Sequence, residues 1–412
     1  MERKDTNLLP SPSAEDWFTY VPLNKKTVCF SKDKQCLNAQ ITDESYGVGK
    51  WIVQIPISGD KAFDFSVQAQ SDCSVNDLYV IITVLREDNS MITRDHVRNC
   101  TVEDGQIRFY DKINTPQEAA SLKLELWIKG CRGTVSWHAP TLVEGNACEQ
   151  RLVKVAVAYI PPSNHTHTIE SNKKDILEAL AESAKLKPDI MVLGECMYER
   201  GVKGVTFLEA AETVQGEMCT LISQRAREYQ AYIIYNFHEA DQGEYYNTSV
   251  LFDRNGAVVG KYRKTHLTVS ELEQGLIPGD AYPVFETDFG KIGMLICWDH
   301  YFSATSEKLV QNGAEMIFVS SAGDAAEKCI ARAMENGIYL AVCGWNTSEN
   351  SKKNGWGPGR IVNPKGEILA DTSEKGKPAF ACIDLNERIR TRWLSLGNAM
   401  SENYGVFKYE KM

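Results

Sequence analysis

Three residue types able to do chemistry stand where apolar runs stop. "DIMVLGE" closes on Glu195, "GKYRKTHL" holds Lys264 between Arg263 and Thr265, and "GKIGMLICWDH" delivers Cys297 before breaking into Trp-Asp-His. A thiol near its free pKa is scarcely ionised at neutral pH and needs a base or a cation nearby to attack a carbonyl. A carboxylate in a partly apolar pocket is suited to accept and return protons. An ammonium, together with the backbone N–H that follows the nucleophile (here that of Trp298), stabilises the oxyanion of a tetrahedral intermediate. Glu195, Lys264 and Cys297, converging at one sheet edge, therefore make an acyl-transfer site for an amide without histidine. A thiol–imidazole pair is the competing arrangement, with His266 and His300 as candidates, but "RKTHL" and "CWDHY" lack the local sequences of papain-type sites.

The elements that must position these groups fall into two halves. Residues 50 to 145 alternate apolar and polar in short runs such as "FDFSVQAQ", "LKLELWIKG" and "GTVSWHAPTLV", which predicts an antiparallel β-sandwich. Its closing strands resemble those of jelly-roll modules. Trp51, Trp127 and Trp137 are read first as core residues and second as a glycan platform. Near Ala147 the period changes: "VKVAVAYI", "PDIMVLGE", "AYIIYNF", "AEMIFVSS" and "IYLAVCGWN" are continuous apolar runs separated by helical segments such as "KKDILEALAESAKLK". That alternation predicts an α/β domain with mixed sheets covered by helices. The expected division is 1–148 as the sandwich, 149–385 as the α/β domain, and 386–412 as a tail. The tail's Trp393, Leu394, Leu396, Tyr404 and Phe407 form an apolar surface suited to an oligomer interface.

Composition narrows the partners. The 412-residue chain is 43% apolar, 24% charged and carries a net charge of −10, with no basic stripe, which speaks against nucleic acid or an anionic membrane. No stretch reaches the ~18 uncharged apolar residues of a membrane span, and "MERKDTNLLPSPSAEDW" has no apolar leader core, so a cytoplasmic protein is expected. Twelve scattered cysteines without a Cys-x-x-Cys pair read as small buried hydrophobes. Four Asn-x-Ser/Thr sequons (Asn99, Asn164, Asn247, Asn346) carry no meaning without secretion. His165 and His167 alternate in "NHTHT" without a third ligand close by, so neither a metal nor a cofactor is expected.

In order along the chain, "VLGE", "GKYRKTHL", "PGD", "FGKIGMLICWD", "ARAMENG" and "RIVNPKGEILAD" resemble the sequence blocks of the nitrilase superfamily of carbon–nitrogen hydrolases, over residues about 152 to 385. The resemblance implies an α-β-β-α sandwich, usually doubled across a dimer face. It makes Glu195 the general base, Lys264 the oxyanion stabiliser and Cys297 the nucleophile. A second glutamate is implied ahead of "PGD": Glu271, which follows "THLTVS", or Glu273. Tyr198, His266, Asp299 and His300 are the substrate-pocket candidates. Two departures stand out: Gly194 replaces the family's usual Pro, and "DHYFSATSEKL" replaces the usual "FPE" with its Arg. The activity implied is hydrolysis of a small amide or N-carbamoyl compound, since "CWD" favours amide-cleaving members. Nitrile hydrolysis and acyl transfer through the same thioester are the alternatives. A glycan-binding protein with an inert second domain is the reading from another class. A homodimer or larger even oligomer is expected, with the sandwich at its periphery.

Overall fold

The structure of the protein is a computed structural model. It describes residues 6–22, 28–42, 47–97, 99–130, 132–160, 167–344, 356–357, 359–373 and 376–387. The described residues form two compact units, one ending at Glu149 and the next starting at Gln150. The apolar residues of the expected C-terminal interface, and His165 of "NHTHT", lie outside the described residues.

The first unit is all-β. Strands Phe18–Tyr20, Val48–Pro56, Ser121–Lys129, Leu78–Leu85 and Met91–His96 form one antiparallel sheet, in that order. The second sheet runs Val28–Lys32, Cys36–Ile41, Gly133–Glu144, Lys61–Ser71, Gln106–Thr115 and Asn99–Glu103. Period-two alternation sends one face of each sheet inward, and Leu37, Val53, Phe65, Val67, Leu78, Leu124, Ile128 and Trp137 fill a shared core. Of the three tryptophans, Trp51 and Trp137 are buried there, whereas Trp127 points to the opposite face of its strand. Strand Gly133–Glu144 shifts register between His138 and Thr141. Ala139 adopts a left-handed φ of 44° there, just before Pro140, which has no N–H to give the ladder.

The second unit holds the site. Its first sheet has the order Val258–Arg263, Glu244–Phe252, Tyr232–Asp241, Ile190–Val192, Leu152–Val157, Ala379–Asp384, and the inner three of these strands run parallel. The second sheet has the order Val284–Glu286, Lys291–Ile296, Met316–Ser321, Tyr339–Gly344, Arg360–Val362, Ile368–Asp371, again with three parallel strands. Those strands are the continuous apolar runs of the sequence, because both of their faces are covered. One face packs on the other sheet: Leu152–Val157 meets Tyr339–Gly344, and Ile190–Val192 meets Met316–Ser321. The other face is covered by helix Glu217–Tyr229, with Ile169–Ala184 packed beside it, on the first sheet, and by Ser303–Gln311 and Ala326–Asn336 on the second. The result is an α-β-β-α sandwich. No helix among the described residues is long and apolar enough to cross a membrane.

Candidate active site

Each functional side chain sits just past a strand. Glu195 follows Ile190–Val192 by three residues, Lys264 directly follows Val258–Arg263, and Cys297 directly follows Lys291–Ile296. Glu195 and Lys264 thus leave the first sheet and Cys297 leaves the second. The Glu195 N–H donates to the Ser321 carbonyl at 3.1 Å, tying this residue to a strand end of the second sheet. Cys297 has a φ of 41°, in the left-handed region that costs a non-glycine residue about 1 kcal/mol or more and that is held by surrounding structure at functional sites. This turn lifts the half-buried thiol out of the strand line.

Lys264 is the hub. Its Nζ donates to Glu195 Oε1 at 2.7 Å and to both carboxylate oxygens of Glu271 at 2.9 Å. All three side chains are buried. Burial works against the ammonium, but the charges of Glu195, Cys297 and Glu271 more than offset it and hold Lys264 above the ordinary lysine range. Burial likewise works to raise Glu271; Lys264, the Thr268 N–H and Asn247 outweigh it and hold the carboxyl below its usual value. Glu271 is the third residue of the short helix Val269–Glu273, in a capping box with Thr268: its Oε2 accepts from the Thr268 N–H at 2.7 Å and from the hydroxyl at 2.9 Å. Glu273 on the same helix is exposed.

One residue of this cluster is invisible to motif reading. Asn247 donates through Nδ2 to Glu195 Oε1 at 3.0 Å and to Glu271 Oε1 at 2.7 Å, holding the two carboxylates side by side. Its own Oδ1 accepts from Asn236 Nδ2 at 2.9 Å, and Asn236 Oδ1 accepts from the Cys196 N–H at 2.8 Å. Both asparagines are shut from solvent. The sequence signal was for its partner Asn236, an asparagine inside the otherwise apolar "AYIIYNF", since a buried amide needs partners.

The Cys297 thiol is pushed up to about 12, first by burial and then by the Glu195 charge; Lys264, the Ser321 hydroxyl and the Ala322 N–H pull the other way. It is therefore protonated at neutral pH and would become a nucleophile only as a base removes its proton. Trp298 is the second residue of the 3-10 turn Cys297–Tyr301, in the first turn of which backbone N–H groups lack intrahelical acceptors. The residue is 40% exposed and its ring rests against Tyr301 and Phe302.

The pocket candidates occupy different places. Asp299 is wholly buried: Oδ1 accepts from the His266 N–H at 2.8 Å and the Thr265 hydroxyl at 3.0 Å, while Oδ2 accepts from the Tyr262 hydroxyl at 2.8 Å and the Ile296 N–H at 3.1 Å. It clamps the Lys264 segment to the nucleophile loop. His300, also buried, donates through Nδ1 to the Cys297 carbonyl, and burial pushes its imidazole down to about 4, so it is neutral. Arg332 donates to the His300 and Tyr301 carbonyls at 3.1 Å and braces the turn from behind. His266 is partly exposed and stacks on Phe302 with centroids 4.2 Å apart. The half-buried Tyr198 has Glu217 and Glu212 as its main charged neighbours, and its carbonyl accepts from Asn172 Nδ2 at 2.9 Å.

The chain is similar to known proteins. The family model described as carbon-nitrogen hydrolase matches residues 154–392. Omega-amidase NIT2 of Homo sapiens is 29% identical over 258 residues, 58% of this chain and 90% of that protein. Omega-amidase NIT2-B of Xenopus laevis is 30% identical over 231 residues, 52% of this chain and 83% of that protein. Among solved structures, Saccharomyces cerevisiae Nit3, described as a member of branch 10 of the nitrilase superfamily, shares the fold with a TM-score of 0.50 at 24% identity, over 57% of this chain and 90% of Nit3. Glu195, Lys264, Glu271 and Cys297 all fall inside the span of the family model, which takes in more than half of the sequence, and the chain belongs to the carbon-nitrogen hydrolase family.

Proposed function

We propose that the protein hydrolyses the C–N bond of a small amide through a thioester on Cys297. The observation that carries this reading is the buried Glu195–Lys264–Glu271 cluster whose charges act on the Cys297 thiol. Cys297 Sγ attacks the amide carbonyl carbon as Glu195 takes the thiol proton. The oxyanion forms against the Lys264 ammonium and the Trp298 N–H. As the C–N bond breaks, Glu195 returns the proton to nitrogen and ammonia or an amine leaves. Water, deprotonated by Glu195, then attacks the thioester; the thiolate departs and is reprotonated, and a carboxylic acid is released. Glu271 and Asn247 keep Lys264 and Glu195 in register throughout. The relatives named omega-amidases place amides ahead of carbamoyl compounds and nitriles. Ammonia release from a panel of short amides, omega-amides, N-carbamoyl amino acids and nitriles tests the reading. Turnover of nitriles alone, or of none of the panel, would overturn it.

The residue assignments, the division near residue 149, a cytoplasmic location and a homodimer or larger even oligomer belong to the same proposal. Exposed Val269 and Leu272 on the helix after Lys264 support self-association, and light scattering checks it. Binding of a glycan by the first unit is a second reading. It is favoured by a row of side chains across one outer sheet face, in which Tyr20 pairs with Lys50, Lys50 with Trp127 and Trp127 with Tyr79. Lys50 Nζ lies 4.1 Å from the Trp127 ring. Retention on immobilised polysaccharide that is lost in Trp127→Ala supports it; no retention on any of a panel refutes it.

A further inference from the structure

Next to the catalytic cluster, on the loop that Glu195 opens, three ligand-type side chains converge. Cys196, Glu199 and His238 each present one donor atom, and these atoms lie within 4.8 Å of one another. Cys196 Sγ is 3.4 Å from His238 Nε2, and Glu199 Oε1 is 3.0 Å from His238 Nδ1. The latter approach has an ion pair's distance without a hydrogen bond's alignment. Both atoms are closed to solvent and have no hydrogen-bond partner among the described residues. His238 is 1% exposed and Glu199 7%, so burial of each such atom is uncompensated by a hydrogen bond. The surrounding charge is negative: Glu199, Glu195 and Glu271 all act on Cys196, with the Lys264 ammonium opposing them. Phe207 stacks on His238 at 4.2 Å and fixes its ring.

A thiol, an imidazole and a carboxylate in a buried, net-negative pocket match a borderline-soft divalent cation, and less well the hard, all-oxygen ligand preference of magnesium or calcium. We propose that Cys196, His238 and Glu199 form a binding site for a zinc-class cation, with water in the fourth position. On binding, the metal–sulfur bond forms as the Cys196 proton leaves to solvent. The resulting thiolate and the Glu199 carboxylate balance the dication. One imidazole nitrogen ligates; bonds of ~2.0–2.3 Å in a tetrahedral site separate ligand atoms by roughly 3.3–3.7 Å, so the ion draws the wider-set atoms inward by about 1 Å. Cys196 and Glu199 lie on the loop and His238 on strand Tyr232–Asp241, so the ion pins the loop that carries Glu195 to the first sheet. This inference stands apart from amide hydrolysis.

The experiment uses the full chain with Cys297→Ala, which removes the nucleophile as a rival ligand. After chelator treatment and desalting, one equivalent of Co²⁺ is added and the spectrum recorded. An intense near-ultraviolet sulfur-to-cobalt band is expected, with d–d intensities typical of tetrahedral cobalt. Adding Cys196→Ser abolishes the band, and Glu199→Gln weakens Co²⁺ binding by roughly 10-fold or more. Zn²⁺ displaces the cobalt and raises the melting temperature of the Cys297→Ala protein more than that of the Glu199→Gln double variant at the same concentration. Circular dichroism verifies that each variant is folded. Absence of the band, or its survival in Cys196→Ser, overturns the proposal, as does unchanged affinity in Glu199→Gln.

Discussion

Asp299→Asn separates a clamp from a substrate contact. In a wholly buried position the carboxylate accepts from two hydroxyls and from two backbone N–H groups on different segments, those of Ile296 and His266, with His266 Nδ1 a further 3.2 Å contact. An asparagine keeps one acceptor oxygen. Whichever way the amide turns, its NH₂ faces one of those N–H groups, while a hydroxyl of Tyr262 or Thr265 can rotate to accept. The cost is one charge-assisted bond plus one buried donor left without a partner, together about 2–5 kcal/mol. Part of it appears as lost stability and part as displacement of the Cys297 turn relative to Lys264, so kcat falls by roughly 10²-fold with KM little changed. Urea denaturation followed by circular dichroism reads the first, and steady-state ammonia release reads the second. A variant within about 1 kcal/mol of the parent in stability with a raised KM and unchanged kcat would refute the clamp and make Asp299 a substrate ligand.

Four further outcomes are expected. Cys297→Ala removes turnover by roughly 10³-fold or more and leaves the fold intact; near-normal activity would exclude the thioester. Iodoacetamide alkylation of Cys297 in the free enzyme accelerates with pH well beyond the ordinary thiol range, because the thiolate appears only as pH approaches about 12; a plateau near pH 8 would contradict this. His300 is neutral and buried, with its pKa taken from 6.5 down to about 4. Between those values the unfolded chain holds a proton that the folded one does not, so stability drops as pH falls through the window, by about 3 kcal/mol from this group. His96 is shifted to about 4 in the same direction by its own burial, so the test is how much of the slope disappears in His300→Gln. Lys264→Arg does not restore activity, since a planar fork cannot serve Glu195 and Glu271 from one point; recovery of most of the rate would reduce Lys264 to a bare charge.

The sequence makes the strand exits legible because burial on two faces demands unbroken apolar runs, and a polar residue that ends such a run is conspicuous. Glu195 and Cys297 are of this kind, whereas Lys264 follows the polar edge strand VVGKYR and is legible only from its sequence block; the two-period reading likewise separates an all-β half from an α/β half. Direction is harder to read. Asp299 and His300 follow the nucleophile directly, yet their side chains turn into the loop's own hydrogen bonds, and residue type alone does not distinguish that from a pocket wall. Asn247 stands in an Asn-x-Ser sequon, and its role emerges only once strand pairing sets it opposite His238 and beside Asn236. Among the tryptophans, strand alternation assigns Trp127 a face, and only the packing of the sheets says which face is inside.

The Glu195 N–H that reaches across to the Ser321 carbonyl marks where two separately hydrogen-bonded layers are stitched together. Glu195 and Lys264 ride on one layer and Cys297 on the other, so the proposed chemistry needs both layers in place. Inactivation on warming therefore needs no melting of either sheet. A slide of one layer over the other by a fraction of a strand spacing parts sulfur from carboxylate, and ammonia release would fade while far-ultraviolet ellipticity still reads as folded.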